Sequence, residues 1–217
     1  MRVRLLVTAL TVCLSGKAAV TTFTSSSDYY SALAARGIVA IVEGYEAYPS
    51  DTLVNSNAIG GLTYTFPSDV SGRVDSTYNH IGGKSLAADR GTALTDFFIS
   101  GDSIRIDLPK AAFAAGIFIN SPVTVSSGDY ALRTSTGAAV AGGGAGTYDT
   151  GTLYFLGLID DTPFTSVTLE SVEDVRGFNV DDFSYGVAKT LTAAPEPSTF
   201  ALLAGGLIAA GFIKRRR

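Results

Sequence analysis

Between residues 38 and 185 the chain runs in short stretches where apolar and polar side chains alternate, each closed by Gly, Asp, Ser or Pro. A period of two sends alternate side chains to opposite faces of an extended strand, so such a stretch buries one face and wets the other. The stretches at 38–46, 61–66, 94–99, 103–108, 114–119, 124–126, 130–134, 151–158, 166–171 and 177–185 are rich in Val, Ile, Thr, Phe and Tyr, which suit a pleated surface. Only Ser27-Asp28-Tyr29-Tyr30-Ser31-Ala32-Leu33-Ala34-Ala35-Arg36-Gly37 departs from this pattern. Its capping Ser or Asp, interior alanines and glycine stop predict a helix. Ten strands and one small helix predict an all-β fold: an antiparallel β-sandwich, jelly-roll-like, with one short N-terminal helix. A β-helix or an open barrel is the alternative. Residues 137–151, rich in Gly and Ala, read as a flexible surface loop.

The two ends follow other rules. Arg2 and Arg4 precede an apolar stretch from Leu5 to Leu14, and small residues follow at Gly16 and Ala18, which predicts a secretory signal peptide over 1–18. Lys17 leaves the scissile bond open. Cys13, after Leu10-Thr11-Val12, loosely resembles a lipobox cysteine, but Val12 stands where a small residue belongs, and the cysteine reads as part of the apolar signal core. It is the only cysteine, so the exported body uses no disulfide and must be held by packing or a bound metal. Seven of the 16 Lys and Arg sit at the two ends, leaving nine in the body against 19 of the 20 acids, a net charge of about −10. An acidic surface of this size repels nucleic acid and excludes it as a partner.

At the other end, the 15 residues from Thr199 to Ile213 carry no charge, and Lys214, Arg215, Arg216 and Arg217 follow. As a helix they span roughly 22 Å, short of a bilayer core of roughly 30 Å, and the basic side chains extend the reach by snorkelling. Those four cations hold that end in the cytoplasm, which puts the body outside. Pro195 and Pro197 cannot sit inside the helix, so it begins near Ser198, a good N-cap. Pro195-Glu196-Pro197, a short apolar helix and a terminal basic cluster resemble the PEP-CTERM sorting signal of certain Gram-negative bacteria. The resemblance implies that exosortase, a membrane-embedded transpeptidase, is the processing partner, acting at Pro195, Glu196, Pro197 and Ser198. A membrane anchor that is never processed is the alternative. The organisation expected is 1–18 signal peptide, 19–188 β-sandwich, 189–194 linker and 195–217 sorting and anchor segment.

The body also carries phrases similar to those of exported β-domains that bear this signal. They are Val42-Glu43-Gly44-Tyr45, Gly60-Gly61-Leu62-Thr63-Tyr64, Gly82-Gly83-Lys84-Ser85-Leu86, Phe155-Leu156-Gly157-Leu158 and Phe178-Asn179-Val180-Asp181-Asp182-Phe183. The resemblance implies location and fold and lends no activity. Catalytic signatures are sparse. His80 is the only histidine, there is no Gly-x-Ser-x-Gly elbow, and one histidine with no cysteine in the body cannot supply the usual zinc ligands. Gly83-Lys84-Ser85 resembles the end of a phosphate loop, but Tyr78 stands where its first glycine belongs.

Two features point to binding. Glu43 and Glu46 lie in the first predicted strand and Asp181 and Asp182 in the last, and in a jelly roll these strands pair. Carboxylates from both, with Glu43 and Asp181 foremost, would then hold a structural Ca2+, which takes several hard oxygen ligands, as in the carbohydrate-binding jelly rolls this pattern resembles. The plain reading is that one acid of each adjacent pair faces water. Asp160-Asp161 before Thr162-Pro163 reads as a turn. The second feature is the ten tyrosines, among which Tyr78 and Tyr148 fall in loop-like contexts suited to stacking on sugar rings. Together these features predict an exported, non-catalytic protein of the cell surface or exopolysaccharide matrix, structural, adhesive or glycan-binding. A matrix-processing, glycosidase-like hydrolase is the alternative. The precursor is expected at the inner membrane, and the product at the surface.

Overall fold

The computed structural model describes residues 19–188 apart from 56–57, 78, 80, 92–96, 123–127, 143–145, 149–150 and 173–176. The signal peptide, the linker, the sorting tail, His80, Tyr78 and the predicted strand at 124–126 lie outside the described residues. So does half of the strand expected at 94–99; of its described residues only Phe98 makes a β-bridge, to Phe178. Among the described residues no helix is long and apolar enough to cross a membrane.

The elements run β1 (Val20–Phe23), α1 (Ser26–Ala35), β2 (Ile38–Glu43), β3 (Ala58–Ile59), β4 (Leu62–Thr65), β5 (Ser71–Asp75), β6 (Ser85–Asp89), β7 (Ser103–Ser121), β8 (Tyr130–Thr134), β9 (Ala139–Gly142), β10 (Gly146–Tyr148), β11 (Gly151–Ser171) and β12 (Asn179–Ala188). They form an all-antiparallel sheet with the order β5-β6-β12-β7-β11-β8-β9, onto which β1, β2, β4 and β10 add from the side. The short β3 reaches the sheet through β4. Ser25 caps the helix by accepting the Asp28 N–H at 3.3 Å, upstream of the expected caps Ser27 and Asp28, and Arg36 and Gly37 end it. Gly60 and Gly61, with φ of 59° and 80°, form the two-residue turn between β3 and β4, a geometry closed to most L residues.

Four expected strands merge into two. Residues 103–108 and 114–119 are halves of β7, and 151–158 and 166–171 are halves of β11. The period-two phase breaks inside each. Core side chains fall at Ile104 and Ile106 before the bend of β7 and at Ala115, Ile117 and Ile119 after it. The register between the two strands slips at the same place, between Ile159 and Phe164 and again before Ser166. Asp160-Asp161-Thr162-Pro163 is therefore a bulge inside a strand rather than a turn, and Pro163, which has no N–H to give a ladder, sits where none is needed. The Gly/Ala segment 137–151 is not a loop throughout. It supplies β9, which pairs with β8, and β10, which pairs with β11. Its small side chains permit close pairing as readily as flexibility.

The main core is threaded by rings in contact: Tyr45 to Tyr64 at 6.4 Å between centroids, Tyr64 to Phe66 at 6.3 Å, Phe66 to Phe98 at 5.7 Å, Phe98 to Phe178 at 5.4 Å and Phe178 to Tyr130 at 5.1 Å. On the outer face of β7 and β11, Tyr29 and Leu33 of α1 cover Ala114, Phe155 and Ile159. Leu156 and Leu158 meanwhile face the main core, so β11 is covered on both sides, which is why Leu153 to Ile159 is almost wholly apolar. Gly157 and Gly116 sit opposite each other under the Tyr29 ring, where a side chain at either would strike Tyr29 and Phe155.

Candidate functional site

The ladder between β2 and β12, from Ile38↔Ala188 to Glu43↔Phe183, carries a distinct cluster of residues at each end. At the Glu43 end the quoted glycine-bearing phrases converge. A bulge between Asp181 and Ser184 turns β12, leaving Asp182 at a positive φ of 34°. Asp181, fully buried, accepts the N–H of Ile81 at 3.0 Å through one oxygen and that of Asp182 at 2.9 Å through the other. Glu43 accepts the N–H of Tyr45 at 2.8 Å. Glu46 accepts those of Gly83 at 2.6 Å and Lys84 at 2.9 Å, and the Lys84 ammonium donates to the Glu46 carbonyl at 3.1 Å and to the Tyr48 carbonyl. A Cβ on Gly44, Gly60 or Gly82 would collide with the carboxylates of Asp182, Glu43 and Glu46 respectively. The acids thus clasp glycine backbones and use main-chain N–H groups as their counter-charge.

The first and last strands of the sequence reading do pair, and Glu43, Glu46, Asp181 and Asp182 share one end of that pairing. Among the described residues, however, no three His, Cys, Asp or Glu side chains converge as metal ligands. Burial, with the Glu46 carboxylate nearby, holds the Asp182 carboxyl above its ordinary pKa of 3.8. The folded state therefore keeps the proton more tightly than the unfolded chain, and stability is lost as pH rises through the folded-state value. Asp182→Asn should raise the melting temperature at pH 7, and the gain should vanish below pH 3.8. An equal gain at both pH values, measured by thermal denaturation, would contradict this account.

Most tyrosines are unavailable to a ligand. Tyr29, Tyr45, Tyr64, Tyr130, Tyr154 and Tyr185 are buried. Burial pushes the Tyr45 hydroxyl well above its usual pKa, so it stays neutral beside Tyr64, its partner at 3.2 Å. Tyr48 is part-buried against the main core, and its hydroxyl accepts the Gly60 N–H at 2.6 Å. The Tyr148 side chain lies outside the described residues. Period-two spacing cannot say which face of a strand is the core, and here the tyrosines took it.

At the Ile38 end lies an open cleft of about 740 Å³ lined by Arg36, Gly37, Ile38, Phe113, Ile159, Asp160, Asp161 and Ala188. The β7 bend brings Phe113 there, the β11 bulge brings Asp160 and Asp161, and the end of α1 brings Arg36. Asp160 is buried and accepts from Thr136 Oγ1 and from the Thr162 N–H, both at 2.8 Å, so it shapes the bulge. Asp161 is exposed, 3.5 Å from the Arg36 guanidinium, and accepts the Ala19 N–H at 3.2 Å. Arg36 also donates to Thr21 Oγ1 at 2.9 Å. A half-buried aromatic ring beside a fixed Arg–Asp pair offers one apolar face with donors and acceptors at its rim. Sequence reading missed this cleft because its parts are 125 residues apart and meet only through the bulge.

The tail of the chain, residues 193–217, carries the PEP-CTERM protein-sorting motif. No curated protein matches the chain. Among solved structures it is similar to the xylan-binding domain from CBM 22, at 12% identity over 66% of this chain and 96% of that one, with a TM-score of 0.36. It is also similar to the C-terminal family 22 carbohydrate-binding module of Clostridium thermocellum, at 14% identity over 66% and 94%, with a TM-score of 0.35. A rhamnosidase from Klebsiella oxytoca with rhamnose bound is similar at 12% identity over 82% of this chain and 35% of that one, with a TM-score of 0.28. Likeness at these scores lends this chain no ligand and no activity.

Proposed function

We propose that this chain is an exported, exosortase-processed surface or matrix protein whose β-sandwich, of jelly-roll kind, binds a neutral polysaccharide and catalyses nothing. The observation that carries it is the sorting motif at 193–217, which sends the β-domain out of the cell. The folded domain supports a binding role. Among the described residues its buried carboxylates Asp75, Asp102, Asp160 and Asp181 each accept a main-chain N–H, whereas a glycosidase needs a pair free to reach a sugar. The Phe113 cleft offers what a sugar requires: a ring for its apolar face, and Arg36 and Asp161 for its hydroxyls. The body's net charge of about −10 repels acidic glycans and leaves neutral ones. A structural Ca2+ at Glu43 and Asp181 belongs to the same reading as a proposal, and a melting temperature unmoved by chelator would remove it.

Processing is tested at one residue. Wild type should lose its basic tail in cells containing exosortase, whereas Glu196→Ala should keep its full mass and stay in the inner membrane. Equal masses would leave a plain membrane anchor. Binding is tested by retention on an immobilised neutral polysaccharide. Phe113→Ala should weaken it about tenfold, the loss of one ring contact, with the melting temperature little changed. Soluble sugars released by wild type, and abolished by one carboxylate substitution, would establish the hydrolase instead.

A further inference from the structure

Ala19 is held at both of its main-chain groups by one residue. Its carbonyl accepts the Asp161 N–H at 3.3 Å, continuing the ladder between β1 and β11, but its nitrogen donates to the Asp161 carboxylate, 3.2 Å from Oδ2. In a hydrogen-bonded antiparallel pair that second bond goes to a main-chain carbonyl. Here a charged side chain takes the carbonyl's place, which is more than a neutral amide needs.

The rest of β1 fixes this nitrogen in position. Val20 to Phe23 pair in register with Asp160 to Gly157, Thr21 Oγ1 accepts from Arg36 at 2.9 Å, and the Phe23 ring lies 5.7 Å from that of Tyr29. A chain end without such ties frays. The other Asp161 oxygen faces the Arg36 guanidinium at 3.5 Å, and Asp160 commits its own oxygens to Thr136 and to the Thr162 N–H. The residues lining the cleft therefore set two carboxylates against a single guanidinium. The cluster is one cation short.

Processing supplies that cation. Gly16 and Ala18 are the small residues that a signal-peptide cleavage site places third and first before its scissile bond, whereas a bond one residue later would put Lys17 in the third place. The bond is then Ala18–Ala19. Hydrolysis adds water across that amide and leaves a carboxylate on Ala18 of the leader and an ammonium on Ala19 of the body. We propose that the mature chain begins at Ala19 and that Asp161 is the receptor for its new α-ammonium, so that removal of the leader completes an Ala19–Asp161–Arg36 charge cluster at the rim of the Phe113 cleft. Two carboxylates and one guanidinium, net −1, become a neutral set. An ammonium also carries three N–H donors where the amide has one, so the rim gains two. That gain bears on polysaccharide binding and does not depend on it.

The test uses the full-length chain, exported by Gram-negative cells and recovered from outside the cytoplasm. N-terminal sequencing should read Ala19-Val20-Thr21. The amine is then acylated at neutral pH with an N-hydroxysuccinimide ester, and peptide mass spectrometry gives its rate relative to the exposed Lys110 of the same molecules. A neighbouring carboxylate favours the charged ammonium, and only the neutral amine attacks the ester. Asp161→Asn should therefore speed acylation about threefold, a modest factor because Asp161 is exposed. Asp51→Asn, which removes an exposed carboxylate beside Arg73, should leave the rate unchanged. Salt at about 1 M, where the screening length falls to about 3 Å, should raise the wild-type rate toward that of Asp161→Asn. A different first residue, a lipid-blocked Cys13, a wild-type rate that salt leaves unchanged, equal rates in wild type and Asp161→Asn, or an equal effect of Asp51→Asn would each overturn the proposal. The salt measurement needs no substitution, so it decides the matter even if Asp161→Asn loosens β1.

Discussion

Phe178→Ala should lower the stability of the domain by about 3–5 kcal/mol, a fall in melting temperature on the order of 10 °C. Phe178 is fully buried, its ring is 5.4 Å from that of Phe98 and 5.1 Å from that of Tyr130, and its backbone exchanges both hydrogen bonds with Phe98, at 2.8 and 2.9 Å. Alanine keeps the backbone bridge and removes the ring, so the cost isolates the cavity. Phe178→Leu fills part of that space and should cost much less. If the two variants melted together, the cost would come from ring contacts that leucine cannot restore rather than from the cavity, and the account would fail.

Asp102→Ala should be comparable, at about 3 kcal/mol or more, for an electrostatic reason. Asp102 is buried, accepts the Ile99 N–H at 2.7 Å and is ion-paired with Arg90, whose other nitrogen reaches Asp69 at 3.0 Å. Removing the carboxylate leaves a poorly solvated guanidinium with only the exposed Asp69 as counter-ion and orphans the Ile99 N–H. Truncating Arg90 to Met in the same chain should recover part of the loss, since the stranded charge then disappears. Chemical denaturation of the two single variants and the double variant measures that coupling, and strict additivity would show that Arg90 and Asp102 do not act as a pair.

Local chemistry made much of this legible. The helix was visible because Ala-rich spacing and a glycine stop act within a few residues, and β8 appeared with the boundaries expected because residues 130–134 are a short run closed by Gly128-Asp129 before it and Ser135-Thr136-Gly137 after it. Strands β5 and β6 escaped because Ser71–Asp75 and Ser85–Asp89 are polar or small, and pairing rather than propensity holds them extended. The pairing of the first and last predicted strands was foreseen. What the acids do there was not, because main-chain N–H groups that approach from residues 81–84 leave no mark in the sequence.

The sequence by itself determined the address, the strand-rich class and the absence of disulfides. Signals of those kinds are written in contiguous residues: a Pro-Glu-Pro tail with its basic end, a period of two, and a cysteine count. Tertiary structure alone decided which strand face became core, that two pairs of short strands run on as β7 and β11, and that Arg36, Phe113 and Asp161 share a cleft. The reason is range. Alternation fixes which residues share a face but not what that face meets, and only the pairing of β7 with β11 through their common bend settles it.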